Sequence, residues 1–418
     1  MNNNDEFYDL NQTPKNWKKT KIKYILDFKN QKTNYWKNEQ ILSLTKNGII
    51  IRDMSTNQGQ VAETYEDYNL LEINDICMNP MDLLSGWVDL SKYKGLISPA
   101  YFILKCKNEN EVNTNFLKFF LQSNYLKKSF FKRGKGVASH ENMGRWVLTP
   151  EEFGKTKFYY PSDVSYQKKI SEFLKRKEIE YYKLKNLIQK KIKLLQELKI
   201  CLIDNTVYRG LNYKIKKKSF NIYFGLIPEH WKISKIKKFS SERNIKVNDK
   251  IFPPLSVSKK GIVDQLADVS VSKDGENRKL VKKGDFVINS RSDRKGSSGF
   301  SCRDGSVSLI NIVFEIKNIF PDYLNYIFKS HSFVEEYFRL GKGIHWDLWT
   351  TKWEKLKNIY IPIPPIIEQK EISSILNSKI KNIDDLIERY KKKNKLYFER
   401  YSTLIFITVS GKKDLDYN

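Results

Sequence analysis

The chain has few of the residues that proteins use for metal binding, disulfide bonding or nucleophilic catalysis. It contains four cysteines and four histidines in 418 residues. Cys77, Cys106, Cys201 and Cys302 lie far apart and form no Cys-x-x-Cys pair, so the sequence indicates neither a zinc site nor a disulfide framework. The histidines are equally scattered. We therefore expect no metal site in this chain.

Long apolar runs are also missing. The longest apolar segment near the end of the sequence, Thr403–Val409, is far too short to span a bilayer. The first residues, MNNNDEFYDL, are polar and acidic, unlike a signal peptide. We expect a cytoplasmic protein with no membrane contact.

Acidic residues are outnumbered by basic ones. The chain has 48 Asp and Glu against 75 Lys and Arg, which gives a formal net charge of +27. Such a field attracts polyanions, and nucleic acid is the leading candidate. The alternative is a general enrichment in lysine that has no binding role. The hydrophobic fraction of 40% is enough for folded cores, which excludes a disordered chain.

The sequence contains a tandem repeat. KNWKKTKIK, which begins at Lys15, matches EHWKISKIK, which begins at Glu229, and QKKISEFL from Gln167 matches QKEISSIL from Gln369. Further matches lie between these in the same order, and the offset falls steadily from 214 to 202 residues. Because this period is too long for a solenoid, each copy is predicted to be a domain with an appendage.

Each copy ends in a segment with heptad spacing. No Gly or Pro interrupts residues 166–206, and lysines break the apolar rows at the same places in both copies, Lys177 with Lys379 and Lys191 with Lys393. Sustained heptads predict two helices of about 60 Å packed on each other as a coiled coil. The alternative is that each helix packs on its own globular domain. The predicted seam consists of Leu174, Tyr181, Leu184, Ile188, Leu195, Leu198, Leu202, Leu376, Ile383, Leu386, Tyr390, Tyr397 and Leu404.

The rest of each copy is predicted to be an α+β domain. Segments such as ILSLTKNGII and FVINS favour strands, whereas Asn115–Phe131 and Asp322–Leu340 favour amphipathic helices. The prolines of Ile361–Pro365 predict a stiff joint before the second helix, because proline does not continue a strand or a preceding helix. The predicted bounds are 1–164 and 209–365 for the two domains, 165–208 and 366–409 for the two helical spacers, and 410–418 for a tail.

Two motifs suggest nucleotide or cofactor chemistry but do not carry it. GKG turns begin at Gly134 and Gly341, and neither fits the Walker phosphate loop, which requires G-x-x-x-x-G-K-[ST]. A helix C-cap is one interpretation of these turns, and contact with a DNA phosphate is compatible with it. NPMD, at Asn79–Asp82, only faintly resembles a DNA methyltransferase motif, and no Gly-rich cofactor loop precedes it.

A metal-dependent nuclease is the enzymatic alternative. Asp304, Glu315 and Lys317 have the spacing at which carboxylates hold Mg²⁺ and a lysine stabilises the attacking water. However, Glu315 and Lys317 align with Lys105 and Lys107 of the first copy. No catalytic residue is duplicated along with the domains, which favours a binding protein.

Taken in order, the repeated motifs resemble the specificity (S) subunits of type I restriction–modification systems, the HsdS family. The resemblance covers nearly the whole chain. It lies in the tryptophans at the start of each copy (Trp17 and Trp231), in the L-S-x-[TS]-x-x-G segments at Leu42 and Leu255, and above all in PIPPIIEQKEISSIL at Pro362–Leu376. The first copy departs from the pattern, because it lacks the doubled proline and the acidic residue before its glutamine.

The resemblance implies a non-catalytic chain with two target-recognition domains, each of which reads one half of a split double-stranded DNA site. It also implies that the spacers pack antiparallel, fix the gap between the half-sites and dock two methyltransferase (M) subunits, and through them the restriction (R) subunits. Adenines would be methylated in both half-sites. S-adenosylmethionine, ATP and Mg²⁺ would be held by the partner subunits, with no cofactor in this chain.

Loops rich in Arg, Lys, Asn and Gln are the expected contacts to DNA, since phosphates require cations and base edges require paired donors and acceptors. For any one residue, a solvated surface charge or a turn former is an equal alternative. A third hypothesis for the whole chain is a coiled-coil scaffold that does not bind DNA. The candidate DNA-binding residues are Arg52, Asn57, Gln58, Lys135, Asn142 and Arg145 in the first copy, and Lys259, Lys260, Arg291, Arg294, Lys295, Lys342 and His345 in the second.

Overall fold

A computed structural model describes residues 13–33, 39–55, 64–81, 87–124, 126, 133–134, 147–212, 216–221, 225–265, 275–343 and 349–416. The chain forms two compact units, Met1–Ile188 with Lys392–Asn418, and Gln189–Lys391. Both units mix helices and strands. The division falls within two long helices, Val164–Arg209 and Ile366–Val409.

The described part of the first unit is built from short antiparallel strands and helices, including the end of the second long helix. Its elements are β1 (Trp17–Lys21), β2 (Leu26–Lys29), β3 (Leu42–Thr45), β4 (Gly48–Ile51), β5 (Asn69–Leu71), β6 (Ile76–Met78), β7 (Val88–Leu90), β8 (Gly95–Ile97), β9 (Phe102–Cys106), α1 (Thr114–Gln122), α2 (Pro150–Gly154), β10 (Lys157–Pro161) and the first part of α3 (Val164–Arg209). Among these, β2-β9-β6-β7 form a four-stranded sheet, and β1 pairs with β10, β3 with β4 and β5 with β8.

The core of the first unit lies between the four-stranded sheet and α1. Asn113 caps α1 by accepting a hydrogen bond from the Phe116 amide, and aromatic side chains cover its buried face. Both long helices contribute to this core, Ile170 and Leu174 from α3 and Ile405 from the second long helix. The helix ends are therefore anchored in the globular part.

The second unit has a longer series of strands. Its elements are β11 (Lys217–Asn221), β12 (Gly225–Pro228), β13 (Lys232–Lys235), β14 (Ser240–Glu242), β15 (Lys246–Val247), β16 (Leu255–Ser258), β17 (Gly261–Asp264), β18 (Arg278–Val281), β19 (Phe286–Asn289), β20 (Ser298–Phe300), β21 (Gly305–Val307), β22 (Asn311–Ile316), α4 (Pro321–Lys329), α5 (His331–Arg339), α6 (Trp353–Leu356), β23 (Tyr360–Ile363) and most of α7 (Ile366–Val409). Here β14-β22-β19-β20 form a four-stranded sheet, β15-β18-β21 a three-stranded sheet, and β13 pairs with β23. The core of this unit contains the buried side chains of Phe286, Phe314 and Phe328, together with Ile203 of α3 and Leu376 of α7.

The prediction of one helix over Asp322–Leu340 was wrong, because the segment forms α4 and α5. Ser330 lies between them in an extended conformation, and its hydroxyl accepts a hydrogen bond from the Phe333 amide. The first turn of α5 is also capped by Asp204 of α3, whose carboxylate accepts from the amides of His331 (2.7 Å) and Ser332 (3.1 Å). The break is therefore fixed by a residue that is distant in sequence.

The proline segment also differs from the expectation that a strand would stop there. Pro362 lies inside β23 and is paired in register with Ile233 of β13. Because β23 pairs with β13 alone among the described residues, the missing amide of proline is tolerated. The helix α7 begins after the two prolines that follow, with the Gln369 amide donating to the Pro365 carbonyl.

The long helices α3 and α7 have 46 and 44 residues. Each is followed by a glycine in the left-handed region, Gly210 at φ +72° and Gly411 at φ +74°. An added Cβ would lie 3.2 Å from the Trp231 ring at Gly210 and 3.1 Å from the Trp17 ring at Gly411. No helix in the described ranges is long and apolar enough to cross a membrane.

The two helices contact each other within each unit. Tyr181 stacks on Tyr401 in the first unit, with ring centroids 4.7 Å apart and planes 7° apart. In the second unit Lys199 pairs with Asp384 at 2.7 Å, and Lys191 Nζ lies 3.5 Å from the Tyr390 hydroxyl.

Only part of the predicted seam is buried. Leu174, Ile188, Leu376 and Ile383 are buried, and Tyr181, Leu195, Leu202, Tyr390, Tyr397 and Leu404 are partly buried. Leu184, Leu198 and Leu386 are exposed, which corrects the expectation that they lie in the seam. An α-helix has 3.6 residues per turn, so a seven-residue row rotates by about 20° per heptad and leaves the buried stripe.

Candidate nucleic-acid interface

One segment of the second unit brings two distant basic loops together. Thr350 exchanges backbone hydrogen bonds with Lys342 of the GKG turn, at 3.0 and 3.1 Å. The same segment also pairs with the loop that follows β19. The Ser292 amide donates to the Trp349 carbonyl, and the Thr351 amide donates to the Ser290 carbonyl. The loop with Arg291 and the turn with Lys342 therefore flank a single strand-like segment.

The loop from Ser290 to Ser297 is held in one shape at both ends. The Asn289 side chain accepts from the Arg291 amide at 3.0 Å, and the Asn289 amide donates to the Ser297 carbonyl at 2.9 Å. Gly296 has φ +74°, which a residue with a Cβ adopts only with strain. These constraints keep the loop's basic side chains at its surface.

Positive charge is in excess in this loop. Asp293 is shared by two guanidinium groups, at 2.9 Å from Arg291 Nε and 3.7 Å from Arg294 Nε. Lys295 pairs with Glu335 at 3.0 Å and lies 3.6 Å from the centre of the Phe338 ring, which in turn stacks on Trp349. Exposed ion pairs of this kind contribute about 0–1 kcal/mol, so a phosphate can replace the carboxylate at little cost.

A lysine hairpin lies next to this loop. Lys259 and Lys260 form the two-residue turn between β16 and β17, where Ser258 accepts from the Lys260 amide and donates to the Gly261 carbonyl. The hairpin packs on β20, which begins where the basic loop ends, and a Cβ on Gly299 would lie 2.9 Å from Gly261 Cα. In the part of the chain that the structure describes, Lys259, Lys260 and Lys342 have no carboxylate partner.

The first unit has a hairpin of the same construction. Thr45 Oγ1 accepts from the Asn47 amide and donates to the Gly48 carbonyl. Lys46 occupies the turn position that aligns with Lys259, and the sequence-based selection missed it although the repeat alignment identifies it. Arg52 follows β4 directly, with its amide donating to the Ile41 carbonyl at 2.8 Å.

The turn of this first hairpin is electrostatically crowded. Lys185 of α3 donates to the Asn47 side chain at 2.8 Å. Burial and the nearby Lys46 ammonium lower the pKa of Lys185. An anion bound at the turn would offset the repulsion between Lys46 and Lys185.

The other candidate DNA-binding residues lie outside the described ranges. They are Asn57, Gln58, Lys135, Asn142, Arg145 and His345. Of the seven candidates with described positions, the loop geometry brings Arg291, Arg294, Lys295 and Lys342 into one place, with Lys259 and Lys260 on the adjoining hairpin. Arg52 belongs to the other unit.

No protein-family model matches the sequence, and no curated protein matches it. Solved structures do match. One is a chain from a structure described as the structural basis underlying complex assembly and conformational transition of the type I R-M system, at TM-score 0.66 and 11% identity, covering 96% of this chain and 100% of that one. The chain has the fold of that type I R-M chain.

Two further structures match over nearly their full lengths. The HsdS subunit from Thermoanaerobacter tengcongensis has TM-score 0.48 and 11% identity, covering 96% of this chain and 98% of that one. The type I restriction-modification S subunit from M. genitalium has TM-score 0.38 and 12% identity, covering 95% and 96%.

Within this type I R-M fold, the residues of the nuclease alternative serve local structure. Asp304 accepts from the Lys283 amide and from Lys282 Nζ, both at 2.8 Å, and these bonds lower the pKa of Asp304. Glu315 on β22 pairs with Lys317 at 3.5 Å. Across the described ranges, no three His, Cys, Asp or Glu side chains are grouped closely enough to hold a metal ion. The geometry therefore does not favour a nuclease.

Proposed function

We propose that the chain is the S subunit of a type I restriction–modification complex, a DNA-reading protein that performs no chemistry itself and acts in the cytoplasm. The observation that carries this proposal is the fold shared over 96% of this chain and 100% of a type I R-M chain. The basic loops of both units support it, since readers of duplex DNA present Arg and Lys to phosphates from fixed loops.

Two recognition domains, made by duplication, would each read one half of a split site. The matching strand orders β2-β9-β6-β7 and β14-β22-β19-β20 support this, and so do the hairpins with their Thr45 and Ser258 turns. The side chains at the turns differ between the copies, Asn47 in one and Lys260 in the other. The two half-sites are therefore expected to differ in sequence.

The long helices would pack antiparallel as a coiled coil and fix the gap between the half-sites. The stacking of Tyr181 on Tyr401 and the pairing of Lys199 with Asp384 support an antiparallel course, since the partner's number falls as the helix advances. One turn of DNA is about 34–36 Å, which helices of about 60 Å can span.

Apolar side chains exposed on the same helices would dock two M subunits, and through them the R subunits. Exposed apolar side chains on one face of a helix, such as Leu194 and Leu198 at i and i+4 on α3, support an interaction surface. The exposed apolar side chains of the two helices include Ile179, Leu187, Leu194, Leu198, Ile200, Leu396 and Phe398, which are between 47% and 61% exposed. S-adenosylmethionine for adenine methylation, and ATP and Mg²⁺ for restriction, would be held by these partners.

The test is to express the chain with its methyltransferase subunits in a host without adenine methylation and to map methylated adenines by single-molecule sequencing. A bipartite motif with a fixed gap and one methylated adenine in each half is expected. Methylation without a bipartite motif, or none, would refute the proposal.

Experiments on the purified chain alone test the two alternatives, a scaffold that does not bind DNA and a metal-dependent nuclease. A reader that makes about six phosphate contacts loses affinity with salt at a slope near −5 in a log–log plot. Absence of binding at low salt would favour a scaffold. Plasmid cleavage by the lone chain with Mg²⁺, lost in Glu315→Ala, would favour the nuclease.

A further inference from the structure

A buried lysine in the first unit connects the globular part to α3. Lys118 of α1 is 7% exposed, and its ammonium lies 2.9 and 3.1 Å from the two carboxylate oxygens of Glu178 on α3. The same ammonium is 3.9 Å from Asp89 of β7. These three residues, called the clamp below, are charged groups whose side chains are all less than a fifth exposed.

The clamp extends to the basic hairpin β3–β4. The second oxygen of Asp89 accepts a hydrogen bond from the Ile49 amide at 3.0 Å. A Cβ on Gly48 would lie 2.3 Å from that oxygen, and Gly48 has φ +101°, so the close approach requires glycine. Together with the Lys185–Asn47 hydrogen bond, the hairpin is tied to α3 at two points.

The second unit lacks every charged member of this arrangement. Asp89, Lys118 and Glu178 align with Gly299, Asn325 and Ile380. Gly299 packs directly against the hairpin glycine Gly261, and Ile380 packs on the apolar core. The enclosed Asn325 Oδ1 has no hydrogen-bond partner among the described residues. The shared fold therefore does not need the clamp.

We propose that the clamp is a positioning device that makes base discrimination by the first domain, and not by the second, depend on α3. The clamp fixes the position of the hairpin β3–β4, which carries Lys46 and is followed directly by Arg52. Removing Lys118 leaves Asp89 and Glu178 buried without a cation, and removing Glu178 leaves Lys118 with Asp89 alone, 3.9 Å away. Either change breaks the link from the hairpin through Asp89 to α3. The inference rests on the proposed function, because it assigns the hairpin a part in reading DNA.

The first test uses the free chain and no DNA. Hydrogen exchange is measured at the hairpin amides in Glu178→Gln and in Lys118→Asn with Glu178→Ile, a double variant that carries the second unit's own residues and so suits the fold. Exchange at Ile49 is expected to rise about tenfold, while exchange at the aligned Ile262 stays unchanged. Glu180→Gln, two residues along α3 and paired with Lys177 three residues before it, is the matched control. Unchanged exchange at Ile49 would overturn the proposal.

The second test uses the complex with its methyltransferase subunits. Methylation rates are compared on the cognate duplex and on duplexes with one mismatch in either half-site. The preference for cognate DNA is expected to fall about tenfold for the first half-site and to stay constant for the second. An equal loss at both half-sites would mean a general folding defect and would refute the inference. A wild-type complex that methylates no bipartite site would refute the proposed function alone, since the exchange experiment still reports on the clamp.

Discussion

Gln167 and Gln369 are buried amides at the same point of the two long helices. Gln167 donates to the Pro161 carbonyl at 2.8 Å and accepts from the Asn113 amide at 2.8 Å, and Gln369 makes the same pair of bonds with Pro364 and Phe320. Each side chain joins the first turn of a long helix to the chain just before that helix and to the start of a core helix. The repeated glutamine is therefore a joint in both units.

Gln369→Leu is expected to lower the free energy of unfolding by about 1–3 kcal/mol, because it leaves a buried amide and a buried carbonyl without partners. Urea denaturation measures this. Gln196→Leu on the exposed face of α3 is the control, with a change within about 0.5 kcal/mol. Equal midpoints for the two variants would contradict the role assigned to the joint.

Lys342 is an exposed cation without a carboxylate partner in the described residues, fixed by its backbone bonds to Thr350. Lys342→Ala is expected to weaken binding to any duplex sequence and to reduce the salt slope by about 1, since one phosphate contact is lost. Titrations at several salt concentrations test it. Lys370→Ala on the exposed face of α7 should leave the slope unchanged, and equal slopes for all three proteins would exclude Lys342 from the interface.

Elements differ in how far their limits can be predicted from sequence. The long helices could be predicted because what makes them is local: uninterrupted helix formers, prolines or Asp163 before them and glycines after them. The break between α4 and α5 could not, because Asp204 caps α5 from 127 residues away. Leu184 and Leu198 were predicted to lie in the seam but are exposed, for another reason. A straight α-helix has 3.6 residues per turn, so residues spaced by seven do not stay on one face of it.

Asp204→Ala tests the remote cap. It removes the acceptor for two amides at the start of α5, so a loss of about 0.5–2 kcal/mol is expected, with faster hydrogen exchange in that helix. Asp384→Ala removes a carboxylate whose ion pair with Lys199 is half exposed, and it should cost less than about 1 kcal/mol. Unaltered exchange in α5 of the Asp204 variant would show that Ser330 suffices as the cap.

The same distinction applies to the candidate interface. Arg291 and Lys342 could be selected from sequence as basic loop residues, but their approach to one segment depends on backbone bonds to Ser290, Ser292 and Lys342 that no local pattern encodes. Lys46 could have been found, because the repeat aligns it with Lys259. The clamp could not, since its three charges belong to three separate elements.

For the molecule as a whole, the proposed function makes helix length a determinant of the DNA site. Deletion of residues 189–195 from α3 removes about 10 Å of helix, close to the rise of three base pairs. We expect the recognised sequence to be lost or its gap to change, as seen by mapping methylated adenines. Alanine at the exposed Lys190 and Lys193 in the full-length helix should leave the site intact. An unchanged site in the deletion variant would refute the spacing role.

The glycines after the two long helices have a consequence for chain connectivity. Gly210 packs against Trp231, which follows it in the chain, whereas Gly411 packs in the same way against Trp17, near the opposite end of the sequence. The first contact joins residues that are 21 positions apart in the chain, whereas the second joins residues that are 394 positions apart. The same packing arrangement thus forms between residues that are close in the sequence and between residues that are distant in it. We therefore expect a circularly permuted chain, opened between α3 and Trp231, to retain both glycine–tryptophan contacts.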